Sequence, residues 1–543
     1  MQKFSSAQWK WTGLSLLATA LFLYASGPYR FGVFDQTLSI PYLKQFGDPS
    51  LYPYDLAVAQ KKYLSTFFWQ ALGWVWKVFP NRLPHVFFTL QAIAVFTFYY
   101  AGIRLVRKLG ASVFGSIFFV FITLMAHPVL GGIKTLDSIL LTRSIAFSIA
   151  LLSFTWTLDK KYVVASIGFG LSFIIHPLSS IALFALSIML VLSETRRTDY
   201  LNLLRLLIPF LLIASPLLFQ HINQHTESIA FSMWFDLMTL RSQHHTQPDS
   251  WGIELILKFF LTTSVGLLSV AFLPSSKTQW VYKNGVLLFF SIALIATLVL
   301  SYFPNSLVLI YQPARTSKEL FLLCFIAFSA FVGSLNSKTP LFVLVLAVLL
   351  SLALLYNSNE LFDPEAHLVI PACLILYFIS LKTSIPNWLV YAGCFIGVGI
   401  LVRPSFEHWA PISIHYEDHF GWNGIATWAK THSAKDALFI LPPNHEGFRA
   451  QSERAVYVTW KEGTCQYFNP SFGPYWLNRL QMLGFKNEAE IEHHYHLLPL
   501  HAFETIKKHE SQHSEIYILR DKNYRLNLPE KTDEGKWVLY QLK

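Results

Sequence analysis

Residues 162–192 read YVVASIGFGLSFIIHPLSSIALFALSIMLVL and contain no Asp, Glu, Lys or Arg. The dipeptide His176-Pro177 divides this stretch into two apolar runs. A helix needs about 20 mostly apolar residues to cross the hydrocarbon core of a bilayer, and each run approaches that length with its flanks. The stretch therefore predicts two membrane-spanning helices joined by a short turn.

Apolar runs of this kind recur along the chain as far as Arg403. The chain is 53% hydrophobic and 14% charged, whereas a soluble domain usually has about 25% charged residues. From Pro404 onwards the composition becomes that of a soluble domain. We predict a polytopic α-helical membrane domain over residues 1–403 and a small α/β domain over residues 404–543. About thirteen spans are expected, centred on residues 11–26, 85–103, 113–125, 142–158, 162–175, 178–192, 203–219, 253–273, 285–302, 319–335, 341–356, 367–381 and 388–402.

Basic clusters set the predicted orientation, because short loops rich in Lys and Arg stay in the cytoplasm. Lys160 and Lys161 follow the fourth span, and Arg196 and Arg197 follow the sixth. This alternation places the N-terminus in the cytoplasm and the C-terminal domain outside it, in the periplasm of a bacterial inner membrane. The net charge of the chain is +10, and the excess of Lys and Arg over Asp and Glu lies in the membrane part. This distribution fits contact with anionic lipid headgroups and argues against nucleic-acid binding.

The first outer loop, residues 27–84, contains FGVFDQTLSIPYLKQFGDPSLYPYD at residues 31–55. Asp48 stands in a Gly-Asp-Pro-Ser turn, which leaves Asp35 and Asp55 as candidates for a general base or a ligand of a divalent cation. Either acid could instead be an ordinary solvated loop residue. The aromatic stretch 61–80 predicts a helix lying along the membrane surface, with a fourteenth span as the alternative.

The second outer loop, HPVLGGIKTLDSILLTR at residues 127–143, offers Lys134, Asp137 and Arg143 at the same predicted membrane face. Arg315 follows in a later outer loop. Arg and Lys side chains can clamp a phosphate, and Asp137 could share a metal. The alternative is that these cations only anchor helix ends at the lipid headgroups.

The C-terminal part alternates strand-like and helix-like segments, which predicts a small α/β layer structure. The strands are expected at residues 437–441, 455–459, 516–519 and 537–542. Between the first two lies a dense polar segment with Arg449 and Arg454. These arginines could bind an acceptor or belong to a surface network of salt bridges.

The arrangement of one N-terminal span, a long acidic outer loop, many further spans and a soluble C-terminal domain resembles the C-type (GT-C) membrane glycosyltransferases. In that superfamily the catalytic acid lies in the first outer loop, and Asp35 in FGVFDQTLSIPYL takes that place, although Gln36 stands where the family often has Glu. The first loop, the IIHPLSS turn and LFILPPNHEGFRAQSERAVYVTWKEG at residues 438–463 also resemble a group of uncharacterised bacterial membrane proteins.

The resemblance implies an inverting transfer of a sugar from a polyprenyl phosphate at the outer face of the membrane. Asp35 would act as the base with Asp55 or Asp137 assisting, and Arg449 and Arg454 would bind the acceptor. The expected partners are the lipid-linked sugar and membrane lipid, while the need for a divalent cation is open. The cations expected to hold the leaving phosphate are Lys134, Arg143 and Arg315.

Two other functions are compatible with the sequence. One is a transporter or flippase for a lipid-linked glycan, and the other is a non-catalytic scaffold that keeps the fold. The chain has no Walker-type or Rossmann glycine loop and no GxSxG, so nucleotide-driven transport loses support.

Overall fold

A computed structural model describes residues 6–27, 29–64, 66–124, 127–194, 200–223, 229–334, 414–416, 418 and 421–542. The predicted spans at 341–356, 367–381 and 388–402 lie outside these residues. The described residues divide into two compact units. The first unit draws on Met1–Tyr29, Leu90–Ala214 and Gln247–Ser413, and the second on Arg30–Thr89, Ser215–Thr246 and Ile414–Lys543.

The chain is mostly helical up to Ser334. Among the described residues, five helical stretches are long and apolar enough to cross a membrane, and three shorter helices are also apolar. The number of about thirteen spans stays a prediction. The five stretches are Pro80–Lys108, Leu201–Ile222, Pro248–Phe272, Lys277–Tyr302 and Pro313–Ser334. The helices in chain order are α1 (Ser6–Ala25), α2 (Gln36–Gly47), α3 (Leu56–Ala59), α4 (Phe68–Val78), α5 (Leu83–Lys108), α6 (Val113–Leu124), α7 (Thr142–Leu158), α8 (Tyr162–Ile175), α9 (Pro177–Glu194), α10 (Leu201–Ile222), α11 (Phe231–Thr246), α12 (Gly252–Phe272), α13 (Lys277–Tyr302), α14 (Ser306–Tyr311) and α15 (Ser317–Ser334).

Small and hydroxyl side chains join helices α7, α8 and α9 in the first unit. The hydroxyl of Ser172 donates to the carbonyl of Ala146 at 2.7 Å, and the hydroxyl of Ser180 donates to the carbonyl of Phe169 at 2.9 Å. Between α8 and α9, His176 has extended backbone angles and Pro177 begins the next helix, a position where proline loses no hydrogen bond. The predicted turn between two apolar helices is therefore found at His176.

The second unit contains a five-stranded mixed sheet with the order β6-β5-β7-β9-β8. Strand β5 runs parallel to β6 and β7, and β9 runs antiparallel to β7 and β8. The four predicted strands all lie in this sheet. That residues 404–543 form a separate soluble domain stays a prediction. The strands are β1 (Arg30–Phe31), β2 (Pro128–Val129), β3 (Ile133–Lys134), β4 (His415–Tyr416), β5 (Leu438–Ile440), β6 (Ala455–Val456), β7 (Ile516–Asp521), β8 (Glu530–Glu534) and β9 (Trp537–Gln541), and the remaining helices are α16 (Trp422–His432), α17 (Phe448–Ser452), α18 (Phe472–Met482), α19 (Ile491–His496) and α20 (Leu500–His509).

Both faces of this sheet are buried, because successive side chains of a strand point to opposite faces. Leu438 and Ile440 of β5 belong to one apolar cluster, and Phe439 belongs to the other. The first of these clusters also contains Leu38 and Tyr42 of helix α2. Residues 27–84, predicted to be the first outer loop, thus contribute side chains to the same core as the C-terminal segment.

Helices α2 and α4 pack closely against each other in the second unit. A Cβ atom added to Gly47 would lie 2.7 Å from the carbonyl oxygen of Gly73, so neither position has room for a side chain. Helix α4 falls inside the stretch predicted to lie along the membrane surface. It buries Trp69 and leaves Trp74 exposed, and its place at a membrane surface stays a prediction.

Candidate functional site

Asp35 lies at the first turn of helix α2, directly after β1. Its side chain makes no capping hydrogen bond to the helix and is 49% exposed. One carboxylate oxygen, Oδ1, lies 2.7 Å from Nζ of Lys461, whose side chain is 15% exposed. The structure therefore gives Asp35 an accessible carboxylate with a cationic partner.

Lys461 is held by a short 3₁₀ helix, Trp460–Tyr467. Thr459 and Glu462 close the start of this helix with reciprocal hydrogen bonds. Arg241 approaches the same segment, where its Nε donates to the carbonyl of Trp460 at 2.8 Å and its guanidinium lies over the Trp460 ring. The 3₁₀ helix thereby carries one cation, Lys461, and binds a second, Arg241, through the carbonyl of Trp460.

Glu446 is a half-buried carboxyl in the electrostatic field of these groups. The pKa of Glu446 is raised to about 7, with burial as the main cause; the cations Lys461 and Arg241 lower this pKa, and the charge of Asp35 raises it. A carboxyl with a pKa near 7 can accept and release a proton at neutral pH. Glu446 is therefore a candidate for proton transfer in the electrostatic field of Asp35.

A cavity of about 330 Å³ lies in the same unit, beside the loop that precedes Asp35. Its wall combines aromatic rings with side chains that donate and accept hydrogen bonds, which is the usual composition of a small-molecule site. Glu446 and Phe34 both belong to the wall. The lining residues are Arg30, Phe31, Gly32, Val33, Phe34, Thr37, Tyr416, Trp422, Asn444, His445, Glu446, Gly447 and Gln451.

Asp55 is buried and takes part in an internal ion-pair network. Its Oδ2 accepts from Nε of Arg449 at 2.6 Å and from the backbone N–H of Val456 at 3.1 Å, while its Oδ1 caps helix α3 through Val58. Arg449 also donates to Glu462 at 2.7 Å. With every charged group of this network buried, the geometry favours a structural role for Asp55 over a role as base.

Arg449 and Arg454, the predicted acceptor-binding arginines, are also inside the second unit, at 3% and 6% exposure. Burial alone would lower the pKa of Arg449, but Asp55 and Glu462 outweigh it and raise that pKa. Arg454 donates to the carbonyls of Lys430, Ser433 and Glu453. The geometry favours structural roles for both, since their guanidinium groups are already bound within the protein.

Asp137 belongs to the first unit and is buried near the cations Arg143 and Lys318. It accepts from Arg143 at 3.0 and 3.2 Å and from the hydroxyl of Ser144 at 2.8 Å. Burial would raise the pKa of Asp137, but the charges of Arg143 and Lys318 outweigh it and hold that pKa below its usual value. Asp137 therefore stays ionised and neutralises part of a positive cluster.

Arg315 and Lys318 complete this cluster, with Arg315 next to the loop that carries Asp137. Nε of Arg315 donates to the carbonyl of Gly131 at 3.2 Å, and Lys318 is buried with Nζ 4.3 Å from the centre of the Phe147 ring. His176 is close enough to interact with the charges of Arg143, Arg315 and Lys318. Lys134 lies on strand β3, where its side chain is exposed.

The predicted site residues thus fall into different units, with Asp35 and Asp55 in the second and Asp137, Lys134, Arg143 and Arg315 in the first. That they line one cavity stays a prediction. Among the described residues, no group of three His, Cys, Asp or Glu side chains is arranged to hold a metal ion. Sequence reasoning passed over Lys318 as a site residue, although its neighbour Arg315 was a signal that cations meet in that loop.

Comparisons with known proteins give one family match and several structural similarities, two of which are described here. A family described as "Domain of unknown function (DUF6798)" matches residues 421–483. No curated protein matches the chain. The crystal structure of ArnT from Cupriavidus metallidurans bound to undecaprenyl phosphate is similar with a TM-score of 0.45 and 10% identity, covering 98% of each chain. The apo structure of the same ArnT gives a TM-score of 0.45 and 12% identity, covering 99% of this chain and 98% of that one.

Proposed function

We propose that this chain is an inverting membrane glycosyltransferase of the C type that takes its sugar from a polyprenyl phosphate. The assignment rests on the geometry of the chain itself. The observation that carries it is the accessible carboxylate of Asp35, ion-paired with Lys461 and coupled to Glu446 beside a cavity. These groups can act as the general base and the second proton acceptor that remove a proton from an acceptor hydroxyl.

The proposed reaction is a single displacement at the anomeric carbon of the donor sugar. The acceptor oxygen forms a bond to that carbon while the bond from the carbon to the phosphate oxygen breaks, and the phosphate leaves with the electron pair. The acceptor proton passes to the carboxylate of Asp35, which Lys461 orients. Glu446, with a pKa of about 7, can take up the proton afterwards. Attack from the face opposite the phosphate inverts the anomeric configuration.

The leaving phosphate needs positive charge, because negative charge develops on it as the bond breaks. The first unit offers this charge in Arg143, Arg315 and Lys318, of which Asp137 neutralises only part. We therefore propose this cluster as the phosphate site. Lys134, exposed on the nearby hairpin, would meet the phosphate or the lipid headgroups.

The proposed location is a bacterial inner membrane, with the N-terminus in the cytoplasm and the C-terminal part in the periplasm. The chain has helices suited to a bilayer, and its basic loops give the orientation. A reporter enzyme that is active only in the periplasm should be active when fused after Lys543 and inactive when fused at Lys160. The opposite pattern would remove Asp35 from the side of the membrane where it is proposed to act.

The test of the reaction uses the full chain in lipid nanodiscs, supplied with polyprenyl-phosphate-linked radiolabelled sugars and a membrane extract as acceptor source. Asp35→Asn should lower sugar release from the lipid by at least about 100-fold, the usual contribution of a general base. Asp48→Asn is the matched control in the same loop, because Asp48 serves a turn, where it accepts hydrogen bonds from Ser50. If the wild type and Asp35→Asn release sugar equally, or both only move intact lipid-linked sugar across the bilayer, the transferase proposal fails.

A further inference from the structure

Phe34 is an exposed aromatic residue in a backbone conformation that side chains rarely adopt. Its φ is +50°, and its side chain is 52% exposed. A bulky non-glycine residue with positive φ is strained, and strain of this kind persists only where the surroundings impose it. Phe34 gains little burial in return, which points to a function for the ring itself.

The loop before Asp35 is fixed in this form by its neighbours within the second unit. β1 pairs in parallel with β4, and the backbone N–H of Gly32 donates to Oε1 of Gln36 at 2.9 Å. A Cβ atom at Gly32 would lie 2.9 Å from the ring of Tyr416. The guanidinium of Arg30 lies 5.3 Å from the centre of the Phe34 ring. The ring is thus held at the wall of the cavity described above.

The polar groups in the wall of that cavity are held in place by contacts within the protein. Glu492 accepts from Asn444 at 2.8 Å and lies 3.0 Å from Nε2 of His445. His445 in turn contacts the rings of Trp422 and Trp537. Amide and imidazole groups fixed in this way can each exchange hydrogen bonds with hydroxyl groups.

Trp422 provides a second observation that points to a ligand. It lines the cavity and is only 1% exposed, and its Nε1–H has no hydrogen-bond partner within the part of the chain that the structure describes. Buried polar groups are nearly always hydrogen-bonded. An oxygen atom of a bound molecule would satisfy this donor.

We propose that this cavity binds one neutral pyranose ring, stacked on Phe34 and hydrogen-bonded by the groups around Trp422, Asn444 and His445. Its volume of about 330 Å³ is at the small end of the usual range for ligand sites, which suits one ring rather than an oligosaccharide. A sugar presents an apolar face to an aromatic ring and hydroxyl groups around its edge. Arg30 and Glu446 bring opposite charges to the wall, which favours a neutral sugar.

The inference rests on the proposed function, since it places a sugar ring one residue from Asp35. The ring could belong to the lipid-linked donor or to a glycan acceptor, and the chemistry of recognition is the same for both. The test must therefore measure sugar binding apart from transfer.

The experiment titrates methyl pyranosides of the common neutral hexoses and N-acetylhexosamines onto the full chain in nanodiscs, with binding followed by saturation-transfer NMR and calorimetry. At least one should bind the wild type. Phe34→Ala and Phe34→Gly should each raise its Kd at least tenfold. Phe34→Gly should not lower the Tm, because glycine relieves the positive φ. Phe79→Ala, which removes another exposed phenyl ring of the same unit, should leave the Kd within twofold.

Asp35→Asn should bind the glycoside like the wild type, since stacking does not need the base. Transfer lost in Asp35→Asn together with equal glycoside affinity in all Phe34 variants would overturn the inference and leave the proposed function standing. Glycoside binding that depends on Phe34 in a chain without transfer activity would support the inference and overturn the function. A short-chain polyprenyl phosphoryl sugar that displaces the glycoside identifies the ring as the donor's, and simultaneous binding identifies it as the acceptor's. If no glycoside binds at millimolar concentration, the inference is wrong.

Discussion

Oδ1 of Asp35 lies 2.7 Å from Nζ of Lys461, so an acid of the first outer loop meets a cation of the C-terminal segment inside one compact unit. The pair is asymmetric, because the carboxylate is about half exposed and the ammonium is mostly buried. A surface ion pair of this kind adds little to stability. The arrangement is better explained by orientation, because the mostly buried Lys461 holds Oδ1 of a carboxylate that is about half exposed to solvent.

Glu446 should make the stability of the chain depend on pH. Its pKa in the folded chain is about 7, well above the usual value for Glu in an unfolded chain. The folded state therefore holds its proton longer, and this group lowers the free energy of unfolding as the pH rises from about 4.5 to 7. Glu446→Gln, which stays neutral, should be more stable than the wild type by up to about 3 kcal/mol at pH 8 and equal to it below pH 4.5.

Thermal unfolding in detergent at a series of pH values measures this difference for Glu446. Glu504→Gln is the control, because Glu504 is exposed on helix α20. A difference between Glu446→Gln and the wild type that is flat over pH 5 to 8 would mean that the carboxyl titrates like an ordinary one and cannot relay a proton near neutral pH.

Arg449 should be a stability residue. Replacing it with Ala leaves the buried carboxylates of Asp55 and Glu462 without their shared cation, and breaking a buried pair in this way costs about 3–5 kcal/mol. Arg525→Ala removes an exposed pair with Glu530 and should cost less than about 1 kcal/mol. Pulse proteolysis measures both. A stable Arg449→Ala chain with weakened acceptor use would restore the acceptor-binding role predicted from the sequence.

Local patterns account for much of the fold. An apolar run of helical length predicts a helix wherever it occurs, and the helix found at Thr142–Leu158 has the predicted ends. The strands could be predicted in a similar way, because a short apolar run between polar turns is typical of a strand in a sheet that is buried on both faces. Span number and orientation depend on the bilayer as well as on the chain.

The pairings of the site could not be predicted in this way. Arg449 stands in a polar segment and looks like a surface residue, but one of its two carboxylate partners is Asp55, far away in the first loop. The same holds for Lys461 and Asp35. Such contacts arise when distant segments share a core, and a single sequence contains no periodic signal for them. The polar segment at residues 438–463 could, however, have indicated Glu446 and Lys461 as members of a polar cluster.

Cys465 offers a chemical test of the second unit. It is fully buried, its Sγ lies 3.3 Å from the hydroxyl of Tyr42, and burial raises its pKa to about 12. The thiolate is the reactive form, so the folded chain should resist maleimide at pH 7.5. In a chain whose other cysteines are replaced by Ser, labelling should be at least about 100-fold slower than in denaturant.

Ser511→Cys in the same background is the positive control for this labelling, because Ser511 is exposed. Rapid native labelling of Cys465 would mean that helix α2, which carries Tyr42, does not cover it. The first loop would then not share a core with the C-terminal segment.

Arg143, Arg315 and Lys318 should determine the affinity for a lipid phosphate. A hydrogen bond between charged groups contributes about 1.5–3 kcal/mol, so Arg315→Ala should weaken the binding of undecaprenyl phosphate by at least about tenfold. Arg315 is chosen because its Nε donates to the carbonyl of Gly131, in the loop that carries Asp137. Lys160 is an exposed lysine of the same unit, so the Lys160→Gln variant should bind undecaprenyl phosphate like the wild type. Radiolabelled lipid retained on nanodiscs reports the affinity.

Asp137→Asn separates the two roles open to Asp137. The amide keeps a hydrogen-bond acceptor for Arg143 and Ser144 but removes the charge that neutralises the cluster. If Asp137 only tunes the phosphate site, the variant should bind undecaprenyl phosphate as tightly as the wild type or more tightly, because the net positive charge rises. If Asp137 assists the base, sugar transfer should fall while lipid binding is kept. A third outcome would contradict the proposed phosphate site. In it, Asp137→Asn loses lipid binding at an unchanged Tm, and Arg315→Ala binds lipid like the wild type. The cluster would then stabilise the helix ends, and the phosphate would bind elsewhere.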